Sequence, residues 1–185
     1  FLVADATGDV ATIEFLVGAR VPHQGAELEY PVLTNDTYDR SVAYAKKVGP
    51  KTGKSGPASL DRFARAASYQ KNATTPDEAV KHAFSMLDDV AQGDHTQWSI
   101  VYDIKDRRAY FRTHAARSMR WIDIDALAFD CNTPVSMLDL TAALSGDVVK
   151  ALKPYKRDAN MKLVRSSFSQ TPFLSEISSE LRDEL

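Results

Sequence analysis

A chain of 185 residues with 44% hydrophobic and 26% charged residues and a formal net charge of −2 has the balance of an ordinary globular protein with one sizeable core. Its 23 basic residues are interspersed among 25 acidic ones, which excludes the basic patch of a nucleic-acid partner, and no apolar run reaches the ~18–20 residues that a membrane-spanning helix needs. One cysteine excludes an internal disulfide and a cysteine-based zinc site, and the four histidines, at 23, 82, 95 and 114, lack metal-ligand spacing, so neither a metal nor a cofactor is expected.

The first 35 residues read as β-structure. Leu2-Val3-Ala4 leads to a turn at Asp5-Ala6-Thr7-Gly8-Asp9, and Val10 to Phe15 alternates with period two. Gly18 allows a tight reversal, Arg20-Val21-Pro22 begins a third run, and Tyr30 to Thr34 is expected as a fourth strand ending at Asn35. The linkers are too short for crossover helices, so antiparallel hairpins follow. The opening residues lack the basic and apolar segments of a signal peptide and read as a strand begun in mid-sequence, with a further segment expected upstream.

Residues 36–93 read as helical. Tyr38, Val42, Ala45 and Val48 share one face of a first helix. Gly49 to Pro57 is a loop without the full spacing of a phosphate-binding motif. Ser59 is suited to cap a second helix that buries Leu60, Phe63, Ala64 and Ala67. Thr75-Pro76-Asp77-Glu78 starts a third, which buries Val80, Phe84, Leu87 and Val90 and stops near Gly93.

Residues 94–125 return to strands: Gln97 to Ile104, a turn at Lys105-Asp106-Arg107-Arg108, Ala109 to Thr113, and Met119 to Ile124. Residues 126–185 are expected as an irregular tail with a short helix near 136–152. Strands, helices and strands in that order make an α+β domain.

Two groups suited to stabilising an anion stand out. Asn35 places a neutral amide donor at an expected strand end, and Arg62 places a permanent cation on the second helix. Taken singly, Asn35 is more simply a turn residue satisfying its own backbone, and Arg62 a solvated side chain on a helix face. Arg65 is read as structural, four residues after Asp61. Cys131, with His114 or His95, is an alternative nucleophile, but Phe129-Asp130-Cys131-Asn132 has no nucleophile-elbow pattern, and a small core residue is the simpler reading. Trp98, Tyr102, Tyr110 and Phe111 read as cross-strand packing, and as an acyl pocket only if they face Asn35.

Four segments over residues 2–123 together resemble the linear amide C–N hydrolases of the choloylglycine hydrolase and penicillin V acylase family. They are Ala4-Asp5-Ala6-Thr7-Gly8 with Ala11-Thr12-Ile13-Glu14, Val32-Leu33-Thr34-Asn35 with Tyr38-Asp39, Asp61-Arg62-Phe63-x-Arg65-Ala66, and Thr96-Gln97-Trp98-Ser99 through Arg112-Thr113. The resemblance implies that residues 1–185 are the later part of one N-terminal nucleophile hydrolase domain, a four-layer α/β/β/α sandwich with antiparallel sheets. It implies an N-terminal cysteine nucleophile in a missing segment or second chain, Asn35 as oxyanion donor and Arg62 beside the sulfur. The implied substrate is a small amide of penicillin V, bile-salt or acyl-homoserine-lactone type. Homo-oligomerisation is expected, and the compartment is left open between a bacterial cytoplasm and its exterior. The alternatives are a non-catalytic binding or structural module on the same fold, and a Cys131-dependent thiol hydrolase.

Overall fold

A computed structural model describes residues 1–49, 58–69, 76–175, 177 and 180. The Gly49 to Pro57 loop beyond Gly49 and the Thr75 helix cap lie outside the described residues.

Three antiparallel strands open the chain, β1 (Leu2–Ala4), β2 (Val10–Leu16) and β3 (Ala19–Gln24), paired in sequence order. The β1–β2 turn is closed by Asp5, whose carboxylate accepts from the backbone N–H and hydroxyl of Thr7 at 2.8 and 2.6 Å and from the Asp9 N–H at 3.2 Å. Leu16 pairs with Ala19, so β2 and β3 join through Val17 and Gly18 alone, both at positive φ (50° and 79°). A two-residue hairpin requires that backbone, which glycine adopts freely and a β-branched valine does not.

The expected fourth strand at Tyr30–Thr34 does not form. Pro31 has no N–H to give a ladder, and the neighbouring groups are used locally. The Val32 N–H bonds the Tyr30 carbonyl at 2.8 Å, while the Tyr38 hydroxyl accepts from Tyr30 N–H and donates to Tyr30 O, both at 3.1 Å. Asn35 therefore sits in a loop, not at a strand end.

Three helices follow: α1 (Tyr38–Val48), α2 (Ala58–Tyr69) and α3 (Pro76–Asp89). Helix α2 is buried along its whole middle, Leu60 through Ala67, and not on one face only. Its Phe63, Ala64, Ala66 and Ala67 pack with Val32, Tyr38 and Ala45 as the core, with Leu33, Tyr44, Met86 and Val90 around it. Phe63 is fully buried and meets Tyr30 and Tyr38 edge-on, each with ring centroids 6.0 Å apart.

The second sheet contains β4 (Trp98–Asp103), β5 (Arg108–Thr113) and β6 (Arg120–Asp123), antiparallel in order. Residues 136–152 do not form the expected helix. They carry β7 (Ser136–Met137) and β8 (Gly146–Asp147), and β7 pairs with β9 (Lys153–Pro154). Strand β8 pairs with β6 in parallel, which makes this sheet mixed where antiparallel sheets were expected. Gly146 bonds Met119 O through its N–H at a φ of 75°, which turns the chain onto the sheet edge and ends any helix there. The helix of the tail lies later, α4 (Arg157–Gln170), anchored by buried Met161, and is followed by the single turn α5 (Pro172–Ser175).

Candidate active site

The loop carrying Asn35 is fixed from three sides. Below it, Tyr38 is almost wholly buried. At its end, the Tyr38 N–H that opens α1 donates to both carboxylate oxygens of Glu14 on β2, each at 3.1 Å, so an acidic side chain from the sheet satisfies an orphan donor of the helix start. From the third side comes Ser59 of α2. Its hydroxyl accepts from Asp36 N–H at 2.9 Å and donates to Thr34 Oγ1 at 3.1 Å, and the Thr34 hydroxyl donates back to Ser59 O at 3.3 Å. One serine thus brackets Asn35 on both sides. Its expected task as a helix cap is corrected accordingly, since Ser59 lies inside the first turn and its side chain faces the loop.

One helical turn further on, Arg62 is only 9% exposed, so the solvated reading of this side chain is corrected. Its Nη2 donates to Asn35 Oδ1 at 2.6 Å, and its Nη1 donates to Gln92 Oε1 and to Ala58 O, both at 3.0 Å. A guanidinium carries N–H donors and no acceptor, so both amides must turn their oxygens toward it. The NH2 groups of Asn35 and Gln92 then point away from Arg62, and both residues are exposed. All three acceptors are neutral, and no carboxylate among the described residues forms an ion pair with Arg62. The contrast is one turn along the same helix, where the buried Arg65 pairs with Asp61 at 2.7 Å, as its spacing predicts.

The structure therefore brings Asn35 and Arg62 together, and adds Ser59, Gln92 and Glu14 to them. Gln92 follows the end of α3 and is held by its own N–H to Thr96 Oγ1 at 2.8 Å. No residue pattern marks Gln92, because its contact with Arg62 spans 30 positions and joins a loop and a helix. The spacing of Ser59 three residues before Arg62 was the available signal for the bracket.

Other expected candidates lie elsewhere. Trp98 and Tyr102 are 61% and 66% exposed, whereas Phe111 is buried and half-buried Tyr110 packs across the strand pair on Trp121, with ring centroids 6.0 Å apart. Trp98 lines a cleft of about 300 Å³ with Asp88, Gly93, Thr96, Arg112 and His114, and Asn35 is not part of it. Cys131 is exposed, which corrects the core reading. It sits in a turn closed by Asp130, whose carboxylate accepts from Asn132 N–H and the Thr133 hydroxyl and is held below its ordinary range, chiefly by that hydroxyl. No hydrogen bond or ion pair among the described residues joins Cys131 to His95 or His114, and His114 lies 3.6 Å from Asp94. Near the core, burial raises the Tyr30 phenol above its ordinary value, with a further contribution from Glu29.

Residues 29–137, which hold Asn35, Ser59, Arg62 and Gln92, match the family of linear amide C–N hydrolases, choloylglycine hydrolase family. The chain belongs to that family. It is 28% identical over 158 residues to a penicillin V acylase of Pectobacterium atrosepticum, a match covering 69% of this chain and 42% of that protein. Among solved structures it is similar to a penicillin V acylase from Agrobacterium tumefaciens, at 28% identity and a TM-score of 0.69, over 84% of this chain and 56% of that one. A conjugated bile acid hydrolase variant from Clostridium perfringens shares the fold at 18% identity and a TM-score of 0.52, over 84% and 53%. Over the part covered, the fold is that of N-terminal nucleophile hydrolases, in its mixed α+β form. The chain spans about half the length of the relatives it matches.

Proposed function

We propose that this chain is the later portion of a cysteine N-terminal nucleophile hydrolase that cleaves a linear amide. The observation that carries the reading is the hydrogen bond from Arg62 Nη2 to Asn35 Oδ1 at 2.6 Å, inside the segment that matches the family. It sets which way the Asn35 amide faces, and an amide whose NH2 is turned outward beside a cation with no carboxylate partner among the described residues is suited to receiving a developing oxyanion.

In this reading the nucleophile is an N-terminal cysteine carried by a segment outside these residues. Its α-amine, whose ordinary pKa lies near neutrality, takes the thiol proton. The sulfur adds to the amide carbon, the carbonyl π electrons move to oxygen, and the Asn35 Nδ2–H donates to that oxyanion. Collapse re-forms the carbonyl, breaks the C–N bond and sends the proton from the α-ammonium to the departing amine. Water then adds to the thioester, the amine again serving as base, and releases the carboxylic acid and the free thiol. Arg62 favours thiolate and keeps the site electropositive. Such a donor is worth about 3–4 kcal/mol of transition-state stabilisation.

The relatives named for penicillin V and for conjugated bile acid support substrates of those types, and acyl-homoserine lactones are a third small amide class of the same bond. The test is turnover by the full-length protein of penicillin V, a glycine-conjugated bile salt and an acyl-homoserine lactone. Hydrolysis of at least one, lost on removing the N-terminal cysteine and kept in Cys131→Ala, is the expected result. Activity that depends on Cys131 overturns the assignment of the nucleophile, and turnover of none favours a binding module on the same fold. Residues 1–185 alone should be inactive, holding the oxyanion donor without the thiol. The apolar side chains of Phe1, Leu2, Val3 and Phe15 are exposed on the first sheet, where the absent segment or a second copy would lie.

A further inference from the structure

Resting on the reading above, the geometry points to Gln92 as a specificity-determining residue: an N–H donor, aimed by Arg62, for a carboxylate on the amine side of the substrate. Arg62 holds two side-chain carboxamides, not one. Gln92 Oε1 accepts from Nη1 at 3.0 Å and Asn35 Oδ1 accepts from Nη2 at 2.6 Å. Because a guanidinium only donates, each contact settles the orientation of the amide that receives it, and the same logic that turns Asn35 Nδ2 outward turns Gln92 Nε2 outward.

What the two residues present is a surface of donors. No hydrogen bond among the described residues uses either NH2 group, and both residues are exposed while the cation that orients them is buried. The partners of Arg62 are two amide oxygens and the Ala58 carbonyl, and no carboxylate among the described residues forms an ion pair with it. Donors backed by a buried cation favour an anionic oxygen over a neutral one, since charge-assisted hydrogen bonds are roughly twice as strong. Amide hydrolysis engages one oxygen at Asn35. In this proposal the oxygen that Gln92 receives belongs to a carboxylate on the departing amine.

The Gln92 backbone is suited to that task. It stands at the start of a 3-10 turn, Gly93–His95, and its N–H is tied to Thr96 Oγ1 at 2.8 Å, so the side chain is anchored at both its root and its oxygen. Its NH2 has no hydrogen-bond partner among the described residues.

The experiment compares two substrates in the full-length enzyme: phenoxyacetylglycine, with a carboxylate on the amine side, and N-ethylphenoxyacetamide, which lacks it. Gln92→Glu keeps an oxygen facing Arg62, so the fold is retained, but removes the donors and adds a negative charge. Gln92→Met removes the donors without adding charge. The expected result is that wild type prefers phenoxyacetylglycine, and that both variants lose on the order of tenfold or more in kcat/KM for it, mostly through KM, with a far smaller change for N-ethylphenoxyacetamide. Equal losses on both substrates from Gln92→Glu would show that Gln92 only holds Arg62, and would overturn the proposal, as would no loss on either. Wild-type enzyme that hydrolyses neither substrate nor any amide of the previous section would instead sink the underlying reading, and this proposal with it.

Discussion

Arg62 and Asn35, 27 positions apart in sequence, are joined by a 2.6 Å hydrogen bond from the guanidinium to the amide oxygen. The bond runs from a buried helix to an exposed loop, and it does two things at once. It satisfies part of a buried cation, which would otherwise cost several kcal/mol. It also forbids the flipped amide, which would set N–H against N–H. The orientation of the Asn35 amide thus comes from α2, the most buried helix among the described residues, while the amide itself belongs to a loop.

Ser59→Ala tests how the loop is held. The serine hydroxyl bonds both neighbours of Asn35, and its loss removes an acceptor for Asp36 N–H and a donor for Thr34. We expect about 1–2 kcal/mol of destabilisation in thermal or urea unfolding and a fall in kcat larger than the change in KM, because the loop loses its register at Asn35. Unchanged kcat in Ser59→Ala would show that Asn35 is held by Arg62 alone.

Asp61→Ala tests the buried ion pair beside the site. Both side chains are about 5% exposed or less and lie 2.7 Å apart, so removing the carboxylate takes its counter-charge from a buried cation. The expected cost is roughly 3–5 kcal/mol, against a much smaller one for replacing Asp61 and Arg65 together by apolar residues of similar volume. A double variant as unstable as the single one would contradict this.

Val17→Asn should stabilise. Val17 is fully solvent-exposed and holds a φ of 50° in the two-residue hairpin, a conformation that costs a β-branched residue on the order of 1–2 kcal/mol and that asparagine adopts readily. A rise of about 1 kcal/mol in unfolding free energy is the expected outcome, and a fall would show that Val17 packs on a partner.

Asp5 gives the β1–β2 turn an acid limit. The Thr7 hydroxyl, then the Thr7 N–H, lower its carboxyl below the ordinary 3.8. A folded value below the unfolded one means that the stabilisation is present above about pH 3.8 and is lost as pH falls through the lowered folded value. The Asp5 carboxyl carbon followed by NMR should titrate below 3.8 in the folded protein, and Thr7→Val should return it toward that value. Titration at or above 3.8 in the native fold would remove the turn's acid limit.

Periodicity made the regular elements legible. Helices α1, α2 and α3 and strands β1 to β6 were readable because apolar spacing and turn residues are local signals. Tyr30–Thr34 misled because its apolar run reads as a strand, while Pro31 and the Tyr38 hydroxyl divert its backbone bonds. Residues 136–152 misled because their fate is decided by an edge of β6 that no local pattern reveals. In α4 the signal was present at Met161, Val164 and Phe168, but sparse among polar residues. Asn35 and Arg62 were singled out through a family pattern and lie in contact, whereas Gln92 was not singled out, since nothing local records a contact between a loop and a helix 30 positions apart.

The central claim is that the outward-facing Asn35 amide stabilises the oxyanion of amide cleavage. The direct measurement is single-turnover hydrolysis of penicillin V by full-length Asn35→Ala beside wild type, with thermal unfolding to show that the fold is intact. The account predicts a loss in rate of about 10²–10³-fold with substrate affinity little changed. A rate within a few-fold of wild type in a folded Asn35→Ala protein would contradict it.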